Sequence, residues 1–166
     1  MRKAYTTPTD DPQKVRVFHV THWENLTSIA AHGVLPYNDL VSRDLNYRSI
    51  AYQHLQQRRH SPAVPVAPHG MLHDYVPCGF AARPPMLYTT FKGTTGSNIR
   101  QGEIVHLESN VQIMQGLDLQ FVFTDGHPLS TAFTEYSNDL IRLPSMLDWE
   151  VLRASMWSNS EIDADR

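Results

Sequence analysis

The stretch "KVRVFHVTHWENLTSIAAHG" (14–33) constrains the fold of this chain more than any other part of the sequence. Residues 14–20 alternate their side chains between two faces, which is typical of a half-buried strand. Thr21 and Glu24 then have the spacing of a capping box, and Gly33 is suited to end a helix. The stretch therefore predicts a strand that runs directly into a helix.

His19 lies inside this predicted strand, and the sequence leaves three roles open for it. It is either a packed residue, a metal ligand or a group at the strand end that contacts a bound molecule. The chain has nine histidines, so we considered metal spacings first. His19 and His22 are close in sequence, as are His69 and His73, but His69 lies in Pro-His-Gly, which is a poor helix interior. Neither His-Glu-x-x-His nor Cys-x-x-Cys occurs. We predict no metal site.

The remaining pattern mixes strands and helices without a regular βαβ alternation, which favours the α+β class. Residues 1–13 are polar and predict a flexible lead-in, and residues 14–166 predict one domain. Further strands are predicted at 71–80, 85–91, 103–109 and 120–126, and further helices at 47–60, 110–119 and 147–157. The stretches 34–46 and 61–70 are predicted irregular, and 128–139 is predicted to be helix or loop.

Charge and cysteine content limit the class of protein. A net charge of −3 argues against a surface coated in basic residues, but it leaves room for a local basic groove. Cys78 is the single cysteine, which rules out an internal disulfide and fits a reducing cytoplasm. The first residues lack an apolar signal region, and no apolar run approaches the roughly 20 residues of a membrane span. We predict a cytoplasmic protein with no membrane partner.

Two arginines stand together in "QQRRH" (56–60), and the pattern leaves their role open. Arg58 and Arg59 lie either on a solvated helix face or in an anion clamp, because a guanidinium can meet a pyrophosphate bidentately. The chain has neither Gly-x-Gly-x-x-Gly nor a Walker loop, so the common phosphate-binding loops are not the explanation.

A second unusual stretch is "HDYVPCGFAARPPMLY" (73–88), with an arginine, a methionine and three prolines. It forms either a rigid apolar shelf that suits a stacked base or a hairpin that packs on the core. "FVFTDGH" (121–127) places His127 at the tip of a turn after a short apolar strand. Most such histidines are merely exposed, whereas one in a catalytic loop contacts a substrate.

Taken in order, "FHVTHWENLTSIAAHGVL", "IAYQHLQQRR", "HDYVPCGFAARPPMLY" and "FVFTDGH" resemble the DarT family. Its members are toxins of DarT/DarG toxin–antitoxin pairs. The resemblance implies an ADP-ribosyltransferase-like fold with mixed central sheets and flanking helices. It further implies NAD as co-substrate, a base in single-stranded DNA, typically thymine, as the target, and a macrodomain-type antitoxin as a partner.

The resemblance also implies roles for individual residues. "HVT" matches a strand end that holds NAD, and the second arginine of "QQRR" matches the active-site arginine, with Arg58 one register position away. "RPPMLY" and the histidine of "DGH" match DNA contacts. The implied sites are NAD-binding at His19, Val20, Thr21 and Arg59, catalytic at Arg59, and DNA-binding at Arg83, Pro84, Pro85, Met86, Leu87, Tyr88 and His127.

The chain departs from the family pattern in two places. The family's catalytic glutamate lies on a strand that would follow residue 166, so we expect a C-terminally truncated domain, and Glu161 lacks the apolar context of that strand. Cys78 and Gly79 replace an aromatic pair. Two alternatives follow: a catalytically dead module that binds NAD or a single strand, and a related transferase that acts on RNA or another base.

Overall fold

The computed structural model describes residues 10–11, 14–93, 98–130 and 134–154. Within these ranges the chain mixes short strands with short helices, as the α+β prediction requires. In chain order the elements are β1 (Arg16–His22), α1 (Leu26–His32), α2 (Tyr37–Ser42), α3 (Gln53–Arg58), α4 (Pro85–Phe91), β2 (Ile104–Asn110), α5 (Val111–Gly116), β3 (Phe123–Thr124), β4 (Tyr136–Ser137), α6 (Leu143–Met146) and α7 (Trp149–Arg153). Single 3₁₀ turns occupy Trp23–Asn25, Leu72–Asp74 and Gln101–Glu103.

Strand β1 lies between two partners. On one side it pairs antiparallel with β2, in a register that runs from Arg16↔Asn110 to His22↔Ile104. On the other side Phe18 exchanges two backbone hydrogen bonds with Gly79, of 2.8 and 2.9 Å. The predicted strands at 14–20 and 103–109 are thus confirmed, and β1 is held centrally rather than at an open edge.

The junction after β1 follows the prediction except for its cap. Gly33 ends α1 at φ +81°, a region that glycine enters without strain, and its N–H donates to the Ile29 carbonyl at 2.8 Å. The capping box of Thr21 and Glu24 is wrong, because Thr21 is still part of β1. The cap is His22, whose Nδ1 accepts a hydrogen bond from the Glu24 N–H at 3.2 Å.

The strand predicted at 85–91 is wrong, since these residues form α4. Pro85 is the first residue of the helix, where its fixed φ favours helix initiation and its missing N–H costs nothing. The hydroxyls of Thr89 and Thr90 each donate to the Met86 carbonyl at 2.9 Å, so both hydroxyls have a hydrogen-bond partner within the helix. The strand predicted at 71–80 is also wrong, because only isolated bridges at Met71 and Gly79 and a 3₁₀ turn form there.

The helix predicted at 47–60 is shorter in the structure, where only Gln53–Arg58 is helical. Its first part is held extended by Asn25, whose amide donates to the Arg48 carbonyl at 2.9 Å and accepts from the Arg48 N–H at 2.8 Å. Both backbone groups of Arg48 are thereby withdrawn from helical hydrogen bonds. A tertiary contact has overridden the local helical pattern.

The later elements are mostly confirmed but are shorter than predicted. The helix at 110–119 is α5, the strand at 120–126 contracts to β3, and the helix at 147–157 is α7, with residues 155–157 outside the described part. The stretch 128–139 contains β4 instead of a helix, and α2 occupies a stretch predicted irregular. Nearly all of the predicted lead-in and the stretch around Glu161 also lie outside the described residues.

Two buried clusters hold these short elements together. The first joins β1, α5, β3, α6 and α7 through Val15, Val17, Val111, Phe123, Leu143, Leu147 and Trp149. The second consists of Val64, Leu72 and Leu129, and Leu55 of α3 and Tyr136 of β4 pack against it. The second cluster therefore anchors α3 and the segment around residue 127 on the same core. Across the described ranges, no helix is long and apolar enough to cross a membrane.

Candidate functional site

His19, in β1, uses one ring nitrogen in a hydrogen bond and leaves the other, Nε2, available to a ligand. Its Nδ1 lies 2.9 Å from the Pro77 carbonyl oxygen. Because a carbonyl only accepts, Nδ1 carries the proton, and Nε2 of the neutral ring is an acceptor. Burial lowers the pKa of His19, while the hydrogen bond to Pro77 acts in the opposite direction. At neutral pH the strand therefore offers an uncharged hydrogen-bond acceptor.

Contacts with neighbouring residues fix the positions of Val20 and Thr21, which follow His19 in β1. Val20 is half-buried and pairs with His106 of β2, and Thr21 is buried. The Thr21 hydroxyl accepts a hydrogen bond from the Asn25 amide at 2.9 Å, the amide that also binds Arg48. The Thr21 side chain thus ties β1 to the extended segment before α3.

Arg59 and Arg58 occupy different environments, although they are adjacent. Arg59 is half-buried and donates from Nη2 to the Leu72 carbonyl at 3.0 Å, whereas Arg58 is exposed. Burial lowers the pKa of Arg59, and the neighbouring Tyr136 offsets part of this effect. The guanidinium remains a cation held in a fixed position, because arginine starts from a very high pKa.

His127 lies within the electrostatic reach of Arg59, although the two are far apart in the sequence. Desolvation lowers the pKa of His127, and the charges of Arg59 and Arg58 lower it further. The Leu129 N–H donates to His127 Nδ1 at 3.2 Å, so Nε2 carries the proton of the neutral ring. The exposed imidazole therefore presents a donor beside a fixed cation.

Tyr136 is a member of this group that the sequence analysis missed. Burial raises its pKa and the Arg59 charge lowers it, and its hydroxyl donates to the Pro128 carbonyl at 2.8 Å. The only signal in the sequence was a tyrosine within an ambiguous stretch. We call Arg59, His127 and Tyr136 the arginine cluster.

The stretch Arg83–Tyr88 presents a helix rather than a strand-like shelf. Pro84 and Pro85 begin α4, and Met86 and Leu87 are half-buried. Tyr88 is 62% exposed, and so is Phe91, at 63%, one turn later. Lys92 Nζ lies 5.5 Å from the centroid of the Tyr88 ring. Phe91 and Lys92 were missed because they are i+3 and i+4 from Tyr88, a relation that brings side chains together only once α4 is known to be a helix.

The chemistry of Cys78 follows from its surroundings. The residue is exposed, yet packing around the sulfur raises the pKa of the thiol to about 11. At neutral pH the thiol is protonated and is a poor nucleophile. The described residues contain no group of three or more His, Cys, Asp or Glu side chains that could hold a metal ion.

We expect the free energy of unfolding to fall as the pH drops below about 6.5. The folded-state pKa values of His19, His73 and His127 are lowered, each mainly by burial, so the unfolded chain binds these protons more readily. Stability is therefore complete above the unfolded pKa of about 6.5 and declines towards the lower folded pKa values. Urea unfolding at pH 7.5 and pH 5.5 measures the change. An unchanged or higher midpoint at pH 5.5 would contradict it.

Comparison with known proteins identifies related sequences. The family model "ssDNA thymidine ADP-ribosyltransferase, DarT" matches residues 18–166. A DNA ADP-ribosyl transferase of Thermus sp. (strain 2.9) is 39% identical over 160 residues, which are 96% of this chain and 71% of that protein. A DNA ADP-ribosyl transferase of Escherichia coli O127:H6 is 35% identical over 147 residues, which are 87% of this chain and 65% of that protein. The chain thus spans about two thirds of the length of these relatives.

Solved structures agree with the sequence relatives. Thermus sp. 2.9 DarT in complex with ADP-ribosylated ssDNA superposes with a TM-score of 0.83 at 37% identity, over 96% of this chain and 74% of that one. The same protein in complex with NAD+ superposes with a TM-score of 0.76 at 34% identity, over 96% and 73% of the two chains. The predicted α+β fold and the resemblance stated from four sequence segments are both confirmed.

Proposed function

Because this chain belongs to the DarT family of ssDNA thymidine ADP-ribosyltransferases, we propose that the complete gene product transfers ADP-ribose from NAD to a thymine base in single-stranded DNA, and that this chain supplies the residues that bind both partners. The observation that carries the proposal is the arginine cluster. In it, the charge of the fixed Arg59 cation reaches a histidine donor from a distant segment, which suits a reaction between two bound partners. NAD supplies the ADP-ribosyl group, and nicotinamide is the leaving group.

The available groups fit NAD. The free acceptor on His19 suits a ribose hydroxyl, and the half-buried cation of Arg59 suits the pyrophosphate. Val20 contributes through its backbone, because its N–H and C=O lie on the same side of β1 as those of Phe18, away from β2. Thr21 acts by positioning, since its backbone pairs with β2 and its hydroxyl already accepts from Asn25. Thr21 and Asn25 also position the segment around Arg48 beside β1.

Arg59 binds and orients in this proposal and does not accept a proton. Its pKa is lowered by burial, but a guanidinium is a poor base even then. Its hydrogen bond to Leu72 limits its motion. Correct alignment of two reactants can lower a barrier by several kcal/mol, which makes a held arginine valuable without any proton transfer.

The DNA contacts of the proposal come from α4 and His127. Arg83 meets a phosphate, and the stretch Pro84, Pro85, Met86 and Leu87 forms the apolar start of the helix. Tyr88 offers an exposed ring on which a base can stack, an interaction worth about 1–3 kcal/mol. Family membership supports a macrodomain-type antitoxin of the DarG kind as the protein partner.

A transfer assay tests the proposed function. Thymine-containing single-stranded oligonucleotides are incubated with NAD and the product of the complete gene, and the mass of the DNA is measured. We expect a gain of one ADP-ribosyl group, and none on matched strands without thymine. A complete product that modifies no strand would contradict the proposal. Transfer to RNA or to another base would favour the related transferase, and NAD binding without turnover would favour the binding module.

We expect His127→Ala to reduce the rate of transfer about 10- to 100-fold while NAD affinity changes by less than about threefold. His127 presents its Nε2–H from an exposed turn beside Arg59, where it can contact the target base. Calorimetric titration with NAD and the transfer assay measure the two quantities. A parallel loss of NAD affinity would contradict the assignment of His127 to the DNA.

A further inference from the structure

A pocket of about 530 Å³ opens beside α3. Gln53, Gln56 and Gln57 line this pocket, at helical spacing. Leu55 and Arg59 point to a different face, because Leu55 packs on the second core cluster and Arg59 bonds to Leu72. The glutamines and Arg59 thus lie on different faces of α3, although the charge of Arg59 still reaches His73 in the pocket lining. We call this pocket the tyrosine pocket.

Aromatic rings form the wall of the tyrosine pocket opposite α3. Tyr37 and Tyr47 meet edge to face, with ring centroids 6.3 Å apart and an interplanar angle of 79°. Tyr37 also packs on His73, with centroids 4.4 Å apart. Both tyrosines keep more than a third of their surface exposed, so the faces of their rings are accessible to a ligand.

His73 has an unmet capacity for hydrogen bonds at the back of the pocket. It is only 4% exposed, and neither ring nitrogen has a hydrogen-bond partner of normal geometry in the described part of the chain. The backbone of Gln56 is near enough to raise its pKa, but burial and the charge of Arg59 lower it, so the ring is neutral at pH 7. A neutral imidazole offers one donor and one acceptor.

The chemistry of the lining selects the class of ligand. The described lining contains no Lys, Arg, Asp or Glu, and its only basic side chains are His60 and His73, so it offers no permanent charge to a phosphate or another ion. A purely apolar ligand would leave the three glutamine amides without hydrogen bonds. A planar heterocycle with donors and acceptors on its edge can bond to the amides and stack on the aromatic rings. The volume lies in the range that small-molecule sites occupy.

We propose that the tyrosine pocket binds an uncharged nucleobase, which stacks on Tyr47 and forms hydrogen bonds through its edge to the amides of α3 and, after a small turn of the Tyr37 ring, to His73. The proposal rests on the proposed function, which supplies two sources of such a base. One is the adenine ring of NAD, and the other is a base of the DNA strand apart from the target thymine.

Calorimetric titration of this chain with adenosine, thymidine and ribose 5-phosphate tests the proposal. We expect one of the two nucleosides to bind, and ribose 5-phosphate, which lacks a base, not to bind. Tyr47→Leu should weaken nucleoside binding about tenfold or more, and Tyr47→Phe, which keeps the ring, should leave it within about twofold. Gln57→Ala, at an exposed position where packing is not disturbed, should weaken it about threefold or more.

The source of the base follows from the same variants. If Tyr47→Leu weakens NAD binding, the pocket holds adenine, and if it weakens oligonucleotide binding instead, the pocket holds a strand base. Arg58→Ala, at an exposed residue of α3 outside the pocket lining, is the matched control and should leave nucleoside affinity within about twofold. Absent nucleoside binding, or binding that both Tyr47→Leu and Gln57→Ala leave unchanged, would overturn the proposal. Nucleoside binding without transfer by the complete gene product would instead contradict the proposed function alone.

Discussion

Replacing Arg59 with alanine is expected to reduce the rate of ADP-ribose transfer by the complete gene product at least about a hundredfold. The guanidinium is the half-buried cation of the arginine cluster, and its charge reaches both His127 and Tyr136. Alanine removes the proposed anchor for the pyrophosphate and the fixed charge at the reacting groups together. The loss is measured as initial rate with saturating oligonucleotide and varied NAD.

Arg58→Ala is the matched control for this prediction. Arg58 precedes Arg59 on the same helix but is exposed, so its removal should change the rate less than about fivefold. Arg59→Ala also breaks the hydrogen bond to Leu72, which should cost about 1 kcal/mol of unfolding free energy and leave the fold intact. If Arg58→Ala abolished transfer and Arg59→Ala did not, the active-site arginine would be assigned to the wrong register.

Leu143→Ala is expected to lower the free energy of unfolding by about 2–5 kcal/mol. Leu143 is fully buried in the first core cluster, where it packs with residues of β1, α5 and α7. Truncation of Leu143 leaves a cavity, because the elements around it cannot all shift to fill the space. Because this cluster holds β1, we also expect the variant to weaken NAD binding through misplacement of His19.

Ile141→Ala provides the comparison for Leu143→Ala. Ile141 lies two residues away and is 87% exposed, so its truncation should change stability by less than about 0.5 kcal/mol. Urea unfolding followed by circular dichroism measures both variants. Equal effects of the two substitutions would show that the core does not depend on α6 as the structure indicates.

Secondary structure was predicted correctly where the conformation that neighbouring residues favour is also the one that the tertiary structure requires. The alternation of 14–20, the strand-like stretch 103–109 and the glycine after "AAH" are signals carried by neighbouring residues, and β1, β2 and the end of α1 follow them. The prediction for 85–91 failed because Tyr, Thr and Phe suit strands by propensity, while Met and Leu suit a helix and Pro85 stands at the first helical position.

The sequence identified two residues of the candidate site, but it did not show how the residues of the site are arranged in space. The family resemblance named Arg59 and His127 without placing them together, and it did not name Tyr136. Their proximity depends on the second core cluster, which packs Leu55 of α3 and Tyr136 of β4 on common residues. Such long-range packing leaves no periodicity in the sequence.

The sequence by itself therefore determined the strand-to-helix start, the α+β class and the family, since these depend on short-range patterns and on motif order. Only the tertiary structure decided that Arg59 faces a core while Arg58 faces solvent, and that Asn25 holds Arg48 extended. It also decided that α3 presents Arg59 on one face and a glutamine-lined pocket on another. The reason is that burial and buried hydrogen bonds join residues distant in sequence and outweigh local propensities of a fraction of a kcal/mol.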